Sequence, residues 1–93
     1  MDIKNLSVII TGGASGMGAE TARHLASLGA KITLLDINKA SLEAVAAETK
    51  ALALECDVTS EASAKDALEK SIAANGTPRA LINCAGIAPG SRI

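Results

Sequence analysis

Short apolar segments alternate along this chain with longer segments that have helical spacing, and this alternation limits the folds open to it. Strands that alternate with helical crossovers form a parallel sheet with helices on both faces. The pattern therefore predicts an α/β fold. The apolar segments predict strands at Leu6–Thr11, Lys31–Asp36, Ala51–Asp57 and Ala80–Asn83.

Helices are predicted between these strands from their apolar stripes and their end signals. They run from Ser15 to Leu28, from an Asn38 cap to near Thr49, and from a Thr59 or Ser60 cap to the Asn75–Pro78 turn. Gly29 is expected to cap the C-terminus of the first helix. The residues predicted to face inward are Gly18, Ala22, Leu25, Leu42, Val45, Ala46, Ala64, Ala67, Leu68, Ser71 and Ile72.

The composition indicates one domain over residues 1–93 and argues against several kinds of partner. Hydrophobic residues make up 48% of the chain and the net charge is −1, so a basic surface for nucleic acid or anionic membranes is not expected. The sequence contains no apolar stretch of membrane-spanning length and no signal-peptide pattern. Cys56 and Cys84 lack metal or CxxC spacing. We expect a cytoplasmic protein with reduced cysteines.

The segment TGGASGMG, from Thr11 to Gly18, lies between the first predicted strand and the first helix. A helix start carries unpaired N–H groups and about half a positive charge, which favours a bound anion. Gly12, Gly16 and Gly18 would permit a tight turn, close approach of a ligand, and close packing of the helix on the strand. A turn with a closely packed helix and no ligand is the alternative interpretation.

An acidic residue, Asp36, ends the second predicted strand 18 residues after Gly18. In dinucleotide-binding units an acid near this position accepts hydrogen bonds from the adenosine ribose hydroxyls. Its charge would also repel a 2′-phosphate, by about 1–4 kcal/mol at a separation of about 4 Å. The neighbours Ser15 and Ile37 offer no cation for such a phosphate, so NAD is expected over NADP. An exposed acid at a strand end is the alternative.

Three further matches connect these features with a known family. Thr11-Gly12-x-x-x-Gly16-x-Gly18 resembles the TGxxxGxG motif of the short-chain dehydrogenase/reductase family. CDVT at 56–59 resembles the family's segment after the third strand, and NCAG at 83–86 resembles its NNAG motif, with Cys84 in place of the second Asn. The segment NCAGIAP, residues 83–89, is most similar to the type-2 3-hydroxyacyl-CoA dehydrogenase branch of the family.

The resemblance implies a Rossmann-type doubly wound sheet with strand order 3-2-1-4 and a bound NAD. The first two helices would cover one face and the third helix the other. Asp57 would accept from the adenine amino group, Val58 would meet the adenine ring, and Asn83 would tie the fourth strand to its neighbours. The residues implied in cofactor binding are Gly12, Ser15, Gly16, Met17, Gly18, Asp36, Ile37, Cys56, Asp57, Val58, Asn83, Ala85 and Gly86.

The family transfers hydride between nicotinamide and an alcohol or ketone, using a Tyr-x-x-x-Lys pair with a serine and an asparagine. The 93-residue chain has no tyrosine, so no catalytic residue is assigned and the chain alone is expected to be inactive. His24 and Cys84 are interpreted as structural.

The sheet is expected to be truncated after its fourth strand, as the N-terminal part of a homo-oligomeric oxidoreductase acting on a small molecule such as a 3-hydroxyacyl-CoA. A non-catalytic dinucleotide-binding module is the alternative. The spacing of the glycines argues against an epimerase-type relative.

Overall fold

A computed structural model describes residues 3–13, 16–57 and 60–84 of the chain. Within them all strands are parallel and, numbered along the chain, lie in the order 3-2-1-4, which confirms the predicted doubly wound sheet. The elements are β1 Ser7–Thr11, α1 Gly16–Ser27, β2 Lys31–Asp36, α2 Lys39–Thr49, β3 Leu52–Glu55, α3 Glu61–Asn75 and β4 Ala80–Asn83.

The ends of the elements follow from local hydrogen bonds. The side chain of Asn38 accepts a hydrogen bond from the Ser41 amide at 3.2 Å and caps α2 as predicted. Ser60 accepts from the Ser63 amide and caps α3, whereas Thr59 lies outside the described residues. Gly29 follows α1 with a φ of 88°, the left-handed conformation expected at this position.

The third strand is shorter than predicted. It was expected over Ala51–Asp57, but it spans only Leu52–Glu55. Its pairing with β2 ends at the Asp36–Glu55 pair, because β2 itself ends there and offers no further ladder partner. The Cys56 amide makes one last hydrogen bond to the Asp36 carbonyl. The apolar run therefore extends beyond the end of the hydrogen-bonded ladder, and its length overestimates the strand.

Helices α1 and α2 pack on one face of the sheet, here called the helix-pair face. Alternate residues of β1 and β2 point into it, and its buried cluster comprises Val8, Ile10, Ala19, Ala22, Ile32, Leu34, Leu42 and Val45. The opposite face, the α3 face, has a smaller buried cluster of Ile9, Leu35, Cys56 and Ala67. This division of the helices between the faces agrees with the prediction.

Two residues predicted to face inward from α3 are largely exposed. Leu68 and Ile72 each leave 43% of their surface exposed to solvent, whereas Ala67 and Ser71 are buried. Helix α3 packs on β2 and β3, and the residues pressed against the sheet are small. The contact stripe is therefore narrower than the hydrophobic pattern predicts, and the larger side chains lie beside it.

Candidate functional site

The chemically interesting residues lie at the carboxyl edge of the sheet. Parallel pairing places Thr11 opposite Leu35 on one side and opposite Asn83 on the other. Asp36 and Glu55 pair at the ends of β2 and β3. The strand ends are therefore side by side, and the strand order reverses between β1 and β4. Ligands of open α/β sheets bind outside the strands' carboxyl ends at such a reversal.

The turn after β1 depends on a glycine and on the end of β2. Gly12 has a φ of 71°, a left-handed conformation that other residues adopt only with strain. The amides of Gly12 and Gly13 both donate to the carbonyl oxygen of Leu35, at 2.8 and 3.1 Å. The turn is thereby fixed to β2, and α1 begins at Gly16, shortly after the carboxyl end of β1.

Gly16 and Gly18 have different surroundings, although both lie in the first turn of α1. A Cβ added to Gly18 would lie 2.2 Å from the carbonyl oxygen of Gly12, so only glycine allows the helix to approach the turn this closely. A Cβ added to Gly16 would meet no atom of the described residues within 4 Å. Gly18 therefore serves packing, whereas the described residues leave open space beside Gly16 at the start of the helix.

Gly13 is a requirement that the sequence interpretation missed. A Cβ at this position would lie 2.9 Å from the Cβ of Leu34, a fully buried side chain of β2. The second glycine of TGGASGMG could have indicated a steric requirement at this position. The motif spacing alone does not show which residue a side chain there would collide with. The absence of a side chain at Gly13 therefore allows the turn to pack against β2 on the helix-pair face.

Asp36 is half-buried at the end of β2. Its Oδ1 accepts a hydrogen bond from the Asn38 amide at 3.0 Å, which orients the carboxylate at the sheet edge beside the loop that leads to α2. Ile37 follows with an exposed side chain. An oriented carboxylate next to an exposed apolar residue can present both a hydrogen-bond acceptor and a flat apolar contact to a ligand.

A side-chain hydrogen bond connects the strands on the two sides of the reversal point. The Thr11 hydroxyl donates to Asn83 Oδ1 at 2.7 Å, and the Cys84 amide donates to the Thr11 carbonyl at 2.9 Å. Asn83 therefore ties β4 to β1 at the carboxyl edge. The expectation drawn from NCAG placed Asn83 in this position.

The short chain dehydrogenase family profile matches residues 6–93. This chain belongs to that family. Human 3-hydroxyacyl-CoA dehydrogenase type-2 is 41% identical over 95 aligned residues, which cover 97% of this chain and 35% of the human protein. Arabidopsis thaliana short-chain dehydrogenase reductase 3c is 39% identical, covering 86% of this chain and 32% of that protein.

Solved structures agree with this family assignment. The Brucella melitensis 3-ketoacyl-(acyl-carrier-protein) reductase complexed with NADH superposes with a TM-score of 0.82 at 34% identity, covering 85% of this chain and 34% of that one. NAD⁺-bound xylitol dehydrogenase gives 0.83 at 29% identity, covering 87% and 33%. The chain thus spans about a third of the length of the relatives it matches.

The remaining predicted contacts of this dehydrogenase-family chain divide into three groups. Met17 and Asp57 are exposed near the edge, and the Asp57 main chain contacts the start of α3 through Ser63 Oγ and the Ser60 amide. Cys56 is 2% exposed within the α3-face cluster, so its side chain is a core residue and only its main chain could reach a ligand. The residues Ser15, Val58, Ala85 and Gly86 lie outside the described part.

Other polar residues lie on α1 and α2, outside this candidate site. His24 is exposed on α1. Arg23 contacts Glu48 at 2.9 Å and joins α1 to α2, and this hydrogen bond lowers the pKa of the Glu48 carboxyl.

Over residues 3–13, 16–57 and 60–84, no group of three or more His, Cys, Asp or Glu side chains could hold a metal ion. None of the described helices combines the length and apolarity of a membrane span.

Proposed function

We propose that this chain is the adenosine-binding part of a nicotinamide-dinucleotide site in an NAD-dependent oxidoreductase. The parent protein would transfer hydride between the nicotinamide and a secondary alcohol or ketone. The observation that carries the proposal is the space that the described residues leave open at Gly16, at the start of the helix that follows β1, the strand beside the reversal in strand order. This space is what a diphosphate requires in order to approach main-chain amides.

The fit of a diphosphate rests on the division of roles among the glycines. Gly12 and Gly18 shape the turn and its packing, and Gly16 leaves the approach to the helix start uncovered. A helix N-terminus attracts a diphosphate through its N–H groups and its dipole. The Brucella reductase and xylitol dehydrogenase, both similar in fold, are described with NADH and NAD⁺ respectively.

The preference for NAD over NADP rests on Asp36. A carboxylate oriented by the Asn38 amide suits the two ribose hydroxyls and opposes a phosphate at the 2′ position. Charge repulsion of about 1–4 kcal/mol corresponds to a preference of several-fold to several hundred-fold. Ile37 would pack against the adenine, with Asp57 and the residues 58 and 85–86 completing the adenosine pocket.

The substrate class is proposed from the relatives. Those of human and Drosophila melanogaster named 3-hydroxyacyl-CoA dehydrogenase type-2 are 41% and 40% identical to this chain. We therefore propose a 3-hydroxyacyl thioester or a similar secondary alcohol as substrate of the parent protein. Because the chain has no tyrosine, the general acid/base of the family would have to come from sequence beyond these residues.

A second candidate is a dinucleotide-binding module without catalysis, used as a sensor or scaffold. The length of the reading frame separates the two functions: a frame that continues into a Tyr-x-x-x-Lys pair supports the oxidoreductase, and a natural stop after Ile93 supports the module.

The cofactor proposal is tested by calorimetric titration of NAD and NADP into the wild type and Asp36→Asn. We expect the wild type to bind NAD more tightly, and the variant to bind the two cofactors within about two-fold of each other because the repulsion is gone. Glu69→Gln, an exposed carboxylate on α3, is the control and should keep the wild-type ratio. Equal affinities of the wild type for both cofactors would contradict the role of Asp36.

A further inference from the structure

Three polar side chains meet between β2 and α3 on the α3 face, and they are here called the Thr33 cluster. The hydroxyl oxygens of Thr33 and Ser71 lie 2.7 Å apart, and both residues are completely buried. The side-chain amide of the half-buried Asn75 donates to the same Thr33 oxygen at 3.0 Å. Since β2 continues beyond Thr33 to Asp36, the cluster lies within the sheet and not at its carboxyl edge.

The Thr33 cluster determines the position of α3 along the sheet. Ser71 and Asn75 are one helical turn apart, so two successive turns of α3 are bonded to a single atom of β2. One bond alone would let the helix pivot about it, whereas two bonds together specify its rotation and its axial position. Moving α3 by one residue, a rise of about 1.5 Å with a rotation of about 100°, would break both bonds and leave buried hydroxyls without partners, which is costly.

The apolar contacts of α3 specify this position less closely. The helix contributes Ala67 to the buried cluster of the α3 face, while Leu68 and Ile72 remain 43% exposed. The contact of a methyl group with the sheet is non-directional and tolerates small displacements. The hydrogen bonds of the Thr33 cluster therefore decide where α3 lies, and with it where the first turn of α3 lies.

The first turn of α3 holds the main chain of Asp57. The Asp57 amide donates to Ser63 Oγ at 3.1 Å, and the Ser60 amide donates to the Asp57 carbonyl at 2.9 Å. The Ser60 hydroxyl in turn accepts from the Ser63 amide as the cap of the helix. Asp57 is therefore attached to α3 through both its N–H and its C=O, although this turn is about 15 Å along the helix from Ser71.

We propose that Thr33 and Ser71 are positioning residues for adenine recognition, because through α3 they set the place of the exposed Asp57 carboxylate at the carboxyl edge. The inference rests on the proposed function, in which Asp57 completes the adenosine pocket. A carboxylate selects a base that offers an amino group and rejects one that offers a carbonyl oxygen in its place. This selection requires the carboxylate to be held within about 0.5 Å of the productive geometry. Loss of the Thr33 hydroxyl therefore relaxes the choice of base, although Thr33 does not touch the ligand.

The test compares two substitutions of Thr33 that both disturb the core. Thr33→Val keeps the shape of the side chain and removes the hydroxyl, whereas Thr33→Ser keeps the hydroxyl and removes a methyl group. Each is titrated calorimetrically with NAD and with nicotinamide hypoxanthine dinucleotide, in which a carbonyl replaces the adenine amino group. We expect the wild type and Thr33→Ser to bind NAD at least about ten-fold more tightly than the analogue. Thr33→Val should bind the two dinucleotides within about three-fold of each other.

A measurement without ligand tests the positioning step by itself. The amide resonance of Asp57 in a two-dimensional NMR spectrum should shift in Thr33→Val and keep its wild-type position in Thr33→Ser, since a chemical shift reports local geometry and not stability. If Thr33→Val does not fold, Ser71→Ala replaces it in both measurements, because Asn75 then still bonds Thr33. Equal base selectivity in the hydroxyl-free variant and in Thr33→Ser, or an Asp57 resonance that does not move, overturns the proposal.

Asp57→Ala distinguishes failure of this inference from failure of the proposed function. It should reduce the selectivity for NAD over the hypoxanthine analogue to the level of Thr33→Val. If Asp57→Ala abolishes the selectivity and Thr33→Val retains it, the positioning role alone is wrong. If Asp57→Ala retains the selectivity, Asp57 does not recognise the adenine, and both the adenine contact and the positioning role are wrong. A wild type that binds neither dinucleotide contradicts the proposed function itself.

Discussion

In the described part of the chain both faces of the sheet are covered by helices, two on the helix-pair face and one on the α3 face. On the first face the side chains of Ile10, Leu34 and Leu42 are completely buried by apolar neighbours. On the second face a smaller apolar cluster is joined to a group of hydrogen-bonded hydroxyl and amide side chains. Thr33 contacts Ser71 at 2.7 Å, and Asn75 donates to Thr33 at 3.0 Å.

The difference shows how one sheet can combine two kinds of packing. Apolar burial is non-directional and supplies most of the stability of a small domain, whereas buried hydrogen bonds contribute little net energy but require one relative position of their partners. The helix-pair face therefore stabilises the turn and α1 start that form the candidate site. The α3 face fixes where α3 lies and leaves part of the sheet uncovered.

The largest effect is expected from truncation of the helix-pair core. Leu42→Ala should reduce the free energy of unfolding by about 2–5 kcal/mol, because it leaves a cavity among completely buried neighbours. Leu81→Ala on the α3 face should change it by less than about 0.5 kcal/mol, since that side chain is exposed. Urea denaturation followed by circular dichroism measures both. Equal losses would mean that the two faces contribute alike.

A smaller loss is expected at the junction between β1 and α1, which depends on the helix-pair face. Gly18→Ala should destabilise the fold by about 1–3 kcal/mol, because its Cβ would collide with the Gly12 carbonyl and displace the helix. Gly16→Ala should leave the urea midpoint unchanged or slightly higher, but weaken NAD binding at least ten-fold by obstructing the open approach. Normal NAD affinity in a folded Gly16→Ala variant would count against a diphosphate at this position.

The hydrogen bonds on the α3 face provide the next test. Thr33→Val keeps the shape of the side chain but deprives Ser71 and Asn75 of their shared partner. We expect a loss of about 1–2 kcal/mol, the cost of leaving a buried polar group without its bond. Combining it with Ser71→Ala should recover part of that loss, as a double-mutant cycle in urea would measure. Strict additivity of the two losses would show that the contact is not energetically coupled.

The smallest effect is expected from the ion pair that joins α1 to α2. The bond to Arg23 lowers the pKa of Glu48 from its usual value of 4.5. The folded state therefore binds a proton less readily than the unfolded state, so the pair stabilises at neutral pH and that contribution is lost as the pH falls below 4.5. Both side chains are about half exposed, so Arg23→Gln should shift the urea midpoint only slightly, and high salt should remove the difference.

The parallel sheet could be predicted from the alternation of strands and helices, whereas the strand order and the division of the helices between the two faces came from the resemblance to the family. The roles of the glycines could be predicted only in part. Gly12 was recognised from its place in the motif, but the need for Gly13 depends on Leu34, which is 21 positions further along the chain. A collision of this kind depends on tertiary packing and leaves no periodic signal.

The exposure of Leu68 and Ile72 was not predictable for a related reason. A hydrophobic stripe shows which side of α3 is apolar. It does not show which residues of that stripe touch the sheet and which lie beside the contact. Ser71 was correctly predicted to face inward, but its contact with Thr33 was not predictable, because the two residues are 38 positions apart and no sequence pattern pairs them. Asp36 was correctly located at the strand end, but its orientation by the Asn38 amide required coordinates.

The hydrogen bond between Thr11 and Asn83 also has a consequence for the order of folding. The two residues are 72 positions apart, whereas β1 and β2 are joined by a single short helical crossover. Local contacts close first because they lose less chain entropy. The strands up to β3 can therefore assemble before β4 docks beside β1, and the proposed nucleotide site is complete only after β4 has docked.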